Sequence, residues 1–157
     1  MSTSPADALR ILAVTLRDED TPISPHVVDP TEDPTFGPYA AAGLRAAGAP
    51  GEYSLVVEAV REGYLLHYGE PRFVAGHDAD LALLAGDYLY ALGIERLATL
   101  GDSDAVRELS DLISLCAQLH AEGREDAVPA LWKASSTAIG EGPSAVHEAA
   151  KRSLRAT

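Results

Sequence analysis

Asp87 carries the most pointed chemistry in the chain. It lies in residues 83–98, LLAGDYLYALGIERLA, where its helical neighbours at i−4, i+3 and i+7 are Leu83, Tyr90 and Ile94. A carboxylate on such an apolar stripe is expected to be buried, and burying an unpaired charge costs several kcal/mol. Asp87 should therefore meet an arginine, a tyrosine hydroxyl, backbone amides or an ion. It then acts either as a hydrogen-bonded organiser of neighbouring helices or as a charged group in a pocket. Five of the six tyrosines, Tyr53, Tyr64, Tyr68, Tyr88 and Tyr90, fall between positions 53 and 90. Tyr64, Tyr68, Tyr88 and Tyr90 with Asp87 are the candidates for a cavity with polar tips that takes a lipid-like chain, the alternative being plain core packing.

Other titratable residues point less clearly to chemistry. Asp80 and Asp87 share a helical face but stand about 10 Å apart along the axis at 1.5 Å per residue, too far to hold one ion. His77, Asp78 and Asp80 cluster at a helix start, where capping and the helix dipole recruit such residues without a metal. Asp104, Glu108 and Asp111 recur at helical spacing beside Arg107 and read as a solvated face. The remaining histidines, His26, His67, His120 and His147, are scattered, and Cys116 among Leu112, Ile113 and Leu119 reads as a buried, inert thiol. No GxSxG, Walker or GxGxxG pattern occurs. No catalytic residue, metal site or cofactor is expected in the chain itself.

The Gly-Asp-Tyr run around Asp87 resembles the corresponding helix of trans-polyprenyl diphosphate synthases, most closely their non-catalytic small subunits of the heptaprenyl diphosphate synthase component I type. The likeness is strong over about a tenth of the chain and loose over 53–122. The resemblance implies an isoprenoid-synthase-like helical fragment, with this helix beside a prenyl tunnel and its aspartate structural. Two departures matter: no two aspartates are adjacent anywhere, so the DDxxD boxes are missing, and Arg45 and Arg72 are isolated where the family places a glycine pair, a lysine and two arginines. With those departures the resemblance implies an accessory subunit that shapes the product tunnel of a catalytic synthase, with magnesium supplied only through that partner and a prenyl-like chain as the ligand.

The elements that must position these residues read as all-α. Leu and Ala dominate the apolar content, aromatics make up 6%, and 157 residues suffice for one core. Residues 4–16 form a short amphipathic helix capped by Ser4 with Pro5 in its first turn. Half of the ten prolines then fall in 22–38, an acidic stretch expected to run extended. Residues 1–38 thus form a docking helix and arm, whose Leu9, Leu12, Leu16, Ile23, Val27, Val28 and Phe36 are candidates for docking on a protein partner or strapping the chain's own domain. Residues 39–157 form the helical domain, a bundle bringing the total to six or seven helices, with helices over 39–47, 50–68, 78–100, 103–122, 126–139 and 143–154. The 78–100 helix, apolar nearly all round, is expected at the centre, and Glu58, Arg61 and Glu62 opposite its neighbour's apolar face are expected in solvent.

A net charge of −12 argues against nucleic acid as a partner. Bases outnumber acids only after Lys133, where Lys151, Arg152 and Arg155 complement a C-terminal helix dipole or dock on an acidic face. No run is long and apolar enough for a membrane helix, and no basic region followed by an apolar stretch opens the chain, so the expected location is the cytoplasm. Beside the accessory subunit, as a hetero-oligomer or homodimer, two readings stay open: a peripheral interaction subunit of an unrelated assembly, and a stand-alone binder of an apolar ligand.

Overall fold

A computed structural model describes residues 4–76 and 78–156. Among them the fold is all-α, with α1 Ala8–Asp18, α2 Gly37–Ala41, α3 Pro50–Tyr68, α4 Ala79–Thr99, α5 Ser103–Ala121, α6 Val128–Glu141 and α7 Ala145–Arg155. Start signals account for most of these elements. The side chains of Asp78, Asp102 and Ser144 accept the N–H groups of Leu81, Ala105 and His147, and proline occupies the first turns of α2, α3 and α6.

The central helix is α3, not α4. Thirteen of the nineteen residues of α3 are buried, against five of twenty-one in α4. One side of α3, with Val56, Val57, Val60 and Tyr64, joins Leu97 of α4 and the inner faces of α5 and α6 in one core cluster. The other side, with Leu55, Ala59 and Leu66, joins α1, Phe73, Val74 and the α4 residues Ala85 and Leu89 in a second.

Glycine decides which face of α4 packs. A Cβ at Gly63 of α3 would stand 2.8 Å from the carbonyl oxygen of Gly86, and one at Gly93 would stand 2.6 Å from a Val60 methyl. The two helices therefore meet along their smallest residues, close enough to exclude larger ones. The larger Leu83 and Leu84 are turned outward, 59% and 53% exposed.

The N-terminal third lies on its own domain. Leu9, Leu12, Leu16, Ile23 and Val27, candidates for docking on a partner or strapping the chain's own domain, are buried in the second cluster; Phe36 packs half-buried against the first, and Val28 is exposed. The proline-rich segment contains a 3-10 turn, Ser24–His26, then makes an isolated antiparallel bridge between Val27 and Val74. The Ser24 hydroxyl donates to the Leu16 carbonyl at 2.6 Å, and the Ser54 hydroxyl of α3 donates to that of Pro5 at 2.9 Å.

Candidate functional site

Asp87 lies on the outer face of α4 and is 66% exposed. The expectation of a buried carboxylate fails because the stripe is split: Leu83 and Asp87 face solvent, whereas Tyr90 and Ile94 pack half-buried against the first cluster and Gly86 and Gly93 face α3. Its neighbour is His67, whose Nε2 lies 3.4 Å from Asp87 Oδ1 and 3.5 Å from the Leu83 carbonyl oxygen. Asp78 and Asp80 are exposed in the first turn, where Asp78 is the N-cap; His77 lies outside the described residues. Among the described residues no group of three His, Cys, Asp or Glu side chains is placed to hold a metal ion. A shallow groove of about 430 Å³ runs beside the exposed leucines, lined by Leu66, His67, Tyr68, Ala79, Ala82 and Leu83.

The tyrosines divide into two groups. Tyr64, Tyr68 and Tyr90 converge around two histidine rings: Tyr64 Oη lies 2.7 Å from His120 Nε2, the Tyr68 and His120 rings stack at 4.0 Å, and the Tyr90 ring meets His67 edge-on at 5.1 Å. Burial raises the Tyr64 and Tyr90 phenols above their ordinary value. Tyr88 points the other way, hydrogen-bonded to Glu19, and burial together with that carboxylate pushes its phenol up to about 12. Of these four, Tyr68 alone borders the groove beside Leu83.

The buried charges are not where the sequence pattern put them. Glu58 and Glu62 of α3 have no exposed surface, because the N-terminal segment and the chain around Arg72 cover that side of the helix. Glu58 Oε2 accepts the backbone N–H groups of Thr35, Phe36 and Gly37 at 2.6–2.9 Å, and Oε1 meets the Arg72 guanidinium. Glu62 accepts Arg72 Nε at 3.0 Å and the N–H groups of Arg72, Phe73 and Val74 at 2.8–3.3 Å. Such charge-assisted bonds compensate the burial of both carboxylates. The i, i+4 spacing of Glu58 and Glu62 was the available signal, since two carboxylates on one face can share one arginine.

A second buried set attaches α7 to α5. Lys151 Nζ lies 2.9 Å from Glu108, 2.8 Å from Asp111 and 3.2 Å from Glu148, and His147 Nε2 lies 2.6 Å from Glu108. Glu108 is thus buried rather than solvated, and the basic C-terminal segment docks on the chain's own acidic helix. Ser135 Oγ also approaches His147, at 3.5 Å, but it shares Nε2 with Glu108. A hydrolytic triad needs the acid and the serine on opposite ring nitrogens, so this arrangement orients α7 and does not activate a nucleophile. Beside it, two contiguous cavities of about 480 and 490 Å³ run between α6 and α7, sharing Ala130, Ala134, His147 and Ala150.

Cys116 is buried, and burial pushes its thiol up to about 12, against the opposing pull of Arg61 and Trp132. It is inert, as its surroundings in the sequence suggested. No helix among the described residues is long and apolar enough to cross a membrane. No protein-family model, curated protein or solved structure matches the chain.

Proposed function

We propose that this chain is a non-catalytic interaction subunit that docks a partner protein on the outer face of α4. The observation that carries this reading is the outward pair Leu83 and Leu84, more than half exposed beside a groove sized for an apolar side chain. Asp78, Asp80, Asp87 and Glu95 are exposed on the same helix. The complementary surface is therefore an apolar helical stripe flanked by lysine or arginine, because acidic flanks steer basic partners and reject acidic ones. The resemblance of the Gly-Asp-Tyr run to prenyl synthase small subunits names the partner class, a catalytic polyprenyl diphosphate synthase whose product tunnel this helix helps to shape. A partner unrelated to prenyl transfer would use the same face. The cavities between α6 and α7, which share Ala130, Ala134 and Ala150, favour a second reading in which the chain holds an apolar ligand by itself.

Affinity purification from the native host with wild type and a Leu83→Asp, Leu84→Asp variant tests the proposal. The wild type should retain a stoichiometric partner, identified by mass spectrometry as a prenyl synthase, and the variant should lose it while melting at the same temperature. Retention of the same partner by both forms would refute the α4 docking face. A different class of partner, lost from the variant, would keep the face and remove the synthase.

A further inference from the structure

Among the positive charges of this acidic chain, Arg61 stands apart. Acids outnumber lysines and arginines 24 to 12, and nine of those twelve bases stand within ion-pair distance of a carboxylate among the described residues. Arg61, Lys133 and Arg152 do not. Lys133 and Arg152 are exposed, as an unpaired cation normally is, whereas Arg61 is half-buried. Its guanidinium lies 5.0 Å from the Phe36 ring, 4.9 Å from Tyr64 and 5.0 Å from Trp132. Burial lowers its affinity for a proton below the ordinary arginine value, opposed by Tyr64 and Glu58.

Three π faces compensate a cation electrostatically, but they do not satisfy five N–H donors. The donors of a guanidinium form a planar fork that matches carboxylate or phosphate oxygens. A second cation lies on the same strip of rings. Lys133 Nζ stands 5.4 Å from the Tyr39 ring, which lies 6.3 Å from Phe36, which lies 5.5 Å from Trp132. Tyr39 is 40% exposed, so the strip of mutually tilted rings continues to the surface.

We propose that Arg61, with Phe36 and Tyr39, forms a binding site for a small organic oxyanion, a carboxylate or phosphate monoester attached to a flat apolar group, with the buried Trp132 beneath the guanidinium. The oxyanion takes the Arg61 donors, the flat group lies on the exposed Tyr39 ring beside half-buried Phe36, and Lys133 adds long-range attraction. The site faces α2 and α6, away from the leucines of α4, and stands independently of the docking proposal.

Trp132 is the single tryptophan, so its fluorescence reports on the site directly. Benzoate and phenyl phosphate are the two oxyanion probes, with benzamide as the neutral control and acetate as the anion lacking a ring. Either oxyanion probe should change Trp132 emission saturably, and whichever binds more tightly identifies the preferred oxyanion. Arg61→Gln should weaken that binding about tenfold or more, since hydrogen bonds to a charged group are lost, and Lys133→Gln only about two- to fivefold. If Arg61→Gln does not melt cooperatively, Arg61→Lys replaces it, keeping the charge but not the fork, with weaker binding still expected. No saturable change with either oxyanion, equal binding of benzamide, or unchanged affinity in the Arg61 variant would overturn the proposal. Acetate binding as tightly as benzoate would overturn the role of the rings.

Discussion

Glu58 gathers donors from two distant parts of the chain, the N–H groups of 35–37 and the guanidinium of Arg72, onto one buried carboxylate. Replacing it by leucine removes the acceptor and leaves those donors stranded, a loss of about 3–5 kcal/mol. Urea unfolding should show that loss for Glu58→Leu. By contrast, Asp87→Asn and Asp87→Leu should both stay within about 0.5 kcal/mol of wild type, the range for exposed positions away from special features. Along the sequence, the order of importance is the reverse. Asp87 stands among leucines and Glu58 beside other charges, and local polarity alone cannot reveal which side of a helix another segment will cover. The inert Cys116 was legible because its apolar neighbours in sequence are also its neighbours in space.

Among the elements, α7 is attached differently from the rest. Its junction with α5 is ionic: Lys151, His147 and Arg155 reach Glu108 and Asp111. Burial alone would raise the Asp111 carboxyl, but the Lys151 hydrogen bond and charge, with Arg155, outweigh it and hold the group below its ordinary value. The unfolded carboxyl titrates near about 3.9, so the Asp111 contribution is complete above that pH and is lost as pH falls through the lower folded value. Burial would lower the Lys151 ammonium, yet Asp111 and Glu108 raise it, so its contribution is complete below about 10.4 and is lost only at higher pH. Helicity followed by circular dichroism should therefore show an acid step below about pH 4, and Asp111→Asn should remove it.

Gly140 of α6 tests close packing against helix propensity. Alanine is favoured there by about 1 kcal/mol on propensity, yet its Cβ would lie 2.0 Å from the Ala40 carbonyl oxygen, and overpacking costs about 1–3 kcal/mol or more. Gly140→Ala should lower the melting temperature; a rise would show that α2 yields. Element boundaries were largely legible, the expected 50–68 and 78–100 meeting Pro50–Tyr68 and Ala79–Thr99, because caps and glycines are local signals. The packed face of α4 was not, because backbone approach at Gly86 and Gly93 decides which leucines face inward, burying Leu89 and Leu97 and turning Leu83 and Leu84 out.

On the scale of the whole molecule, the N-terminal third is structural. Deleting residues 1–34 would uncover Leu55, Ala59, Leu66 and Leu89, all buried in the cluster that α1 completes. The truncated chain should melt at a markedly lower temperature and bind hydrophobic dyes; an unchanged melt would show α1 to be dispensable. The all-α class followed from composition and periodicity, whereas the docking of the first third on α3 depends on contacts between residues far apart in the chain. Synthesis also orders the assembly of the Glu58 site. Residues 35–37 leave the ribosome before both Glu58 and Arg72, and at about 5–20 residues per second roughly 2–7 s separate Gly37 from Arg72. Until α3 has been made within that interval, the apolar face of α1 has no helix to lie on. The acidic, proline-rich segment that comes after it makes no β-pairing among the described residues beyond the single Val27–Val74 bridge and repels its own kind. It therefore serves the nascent chain as a solubilising tether before it serves the folded protein as a strap.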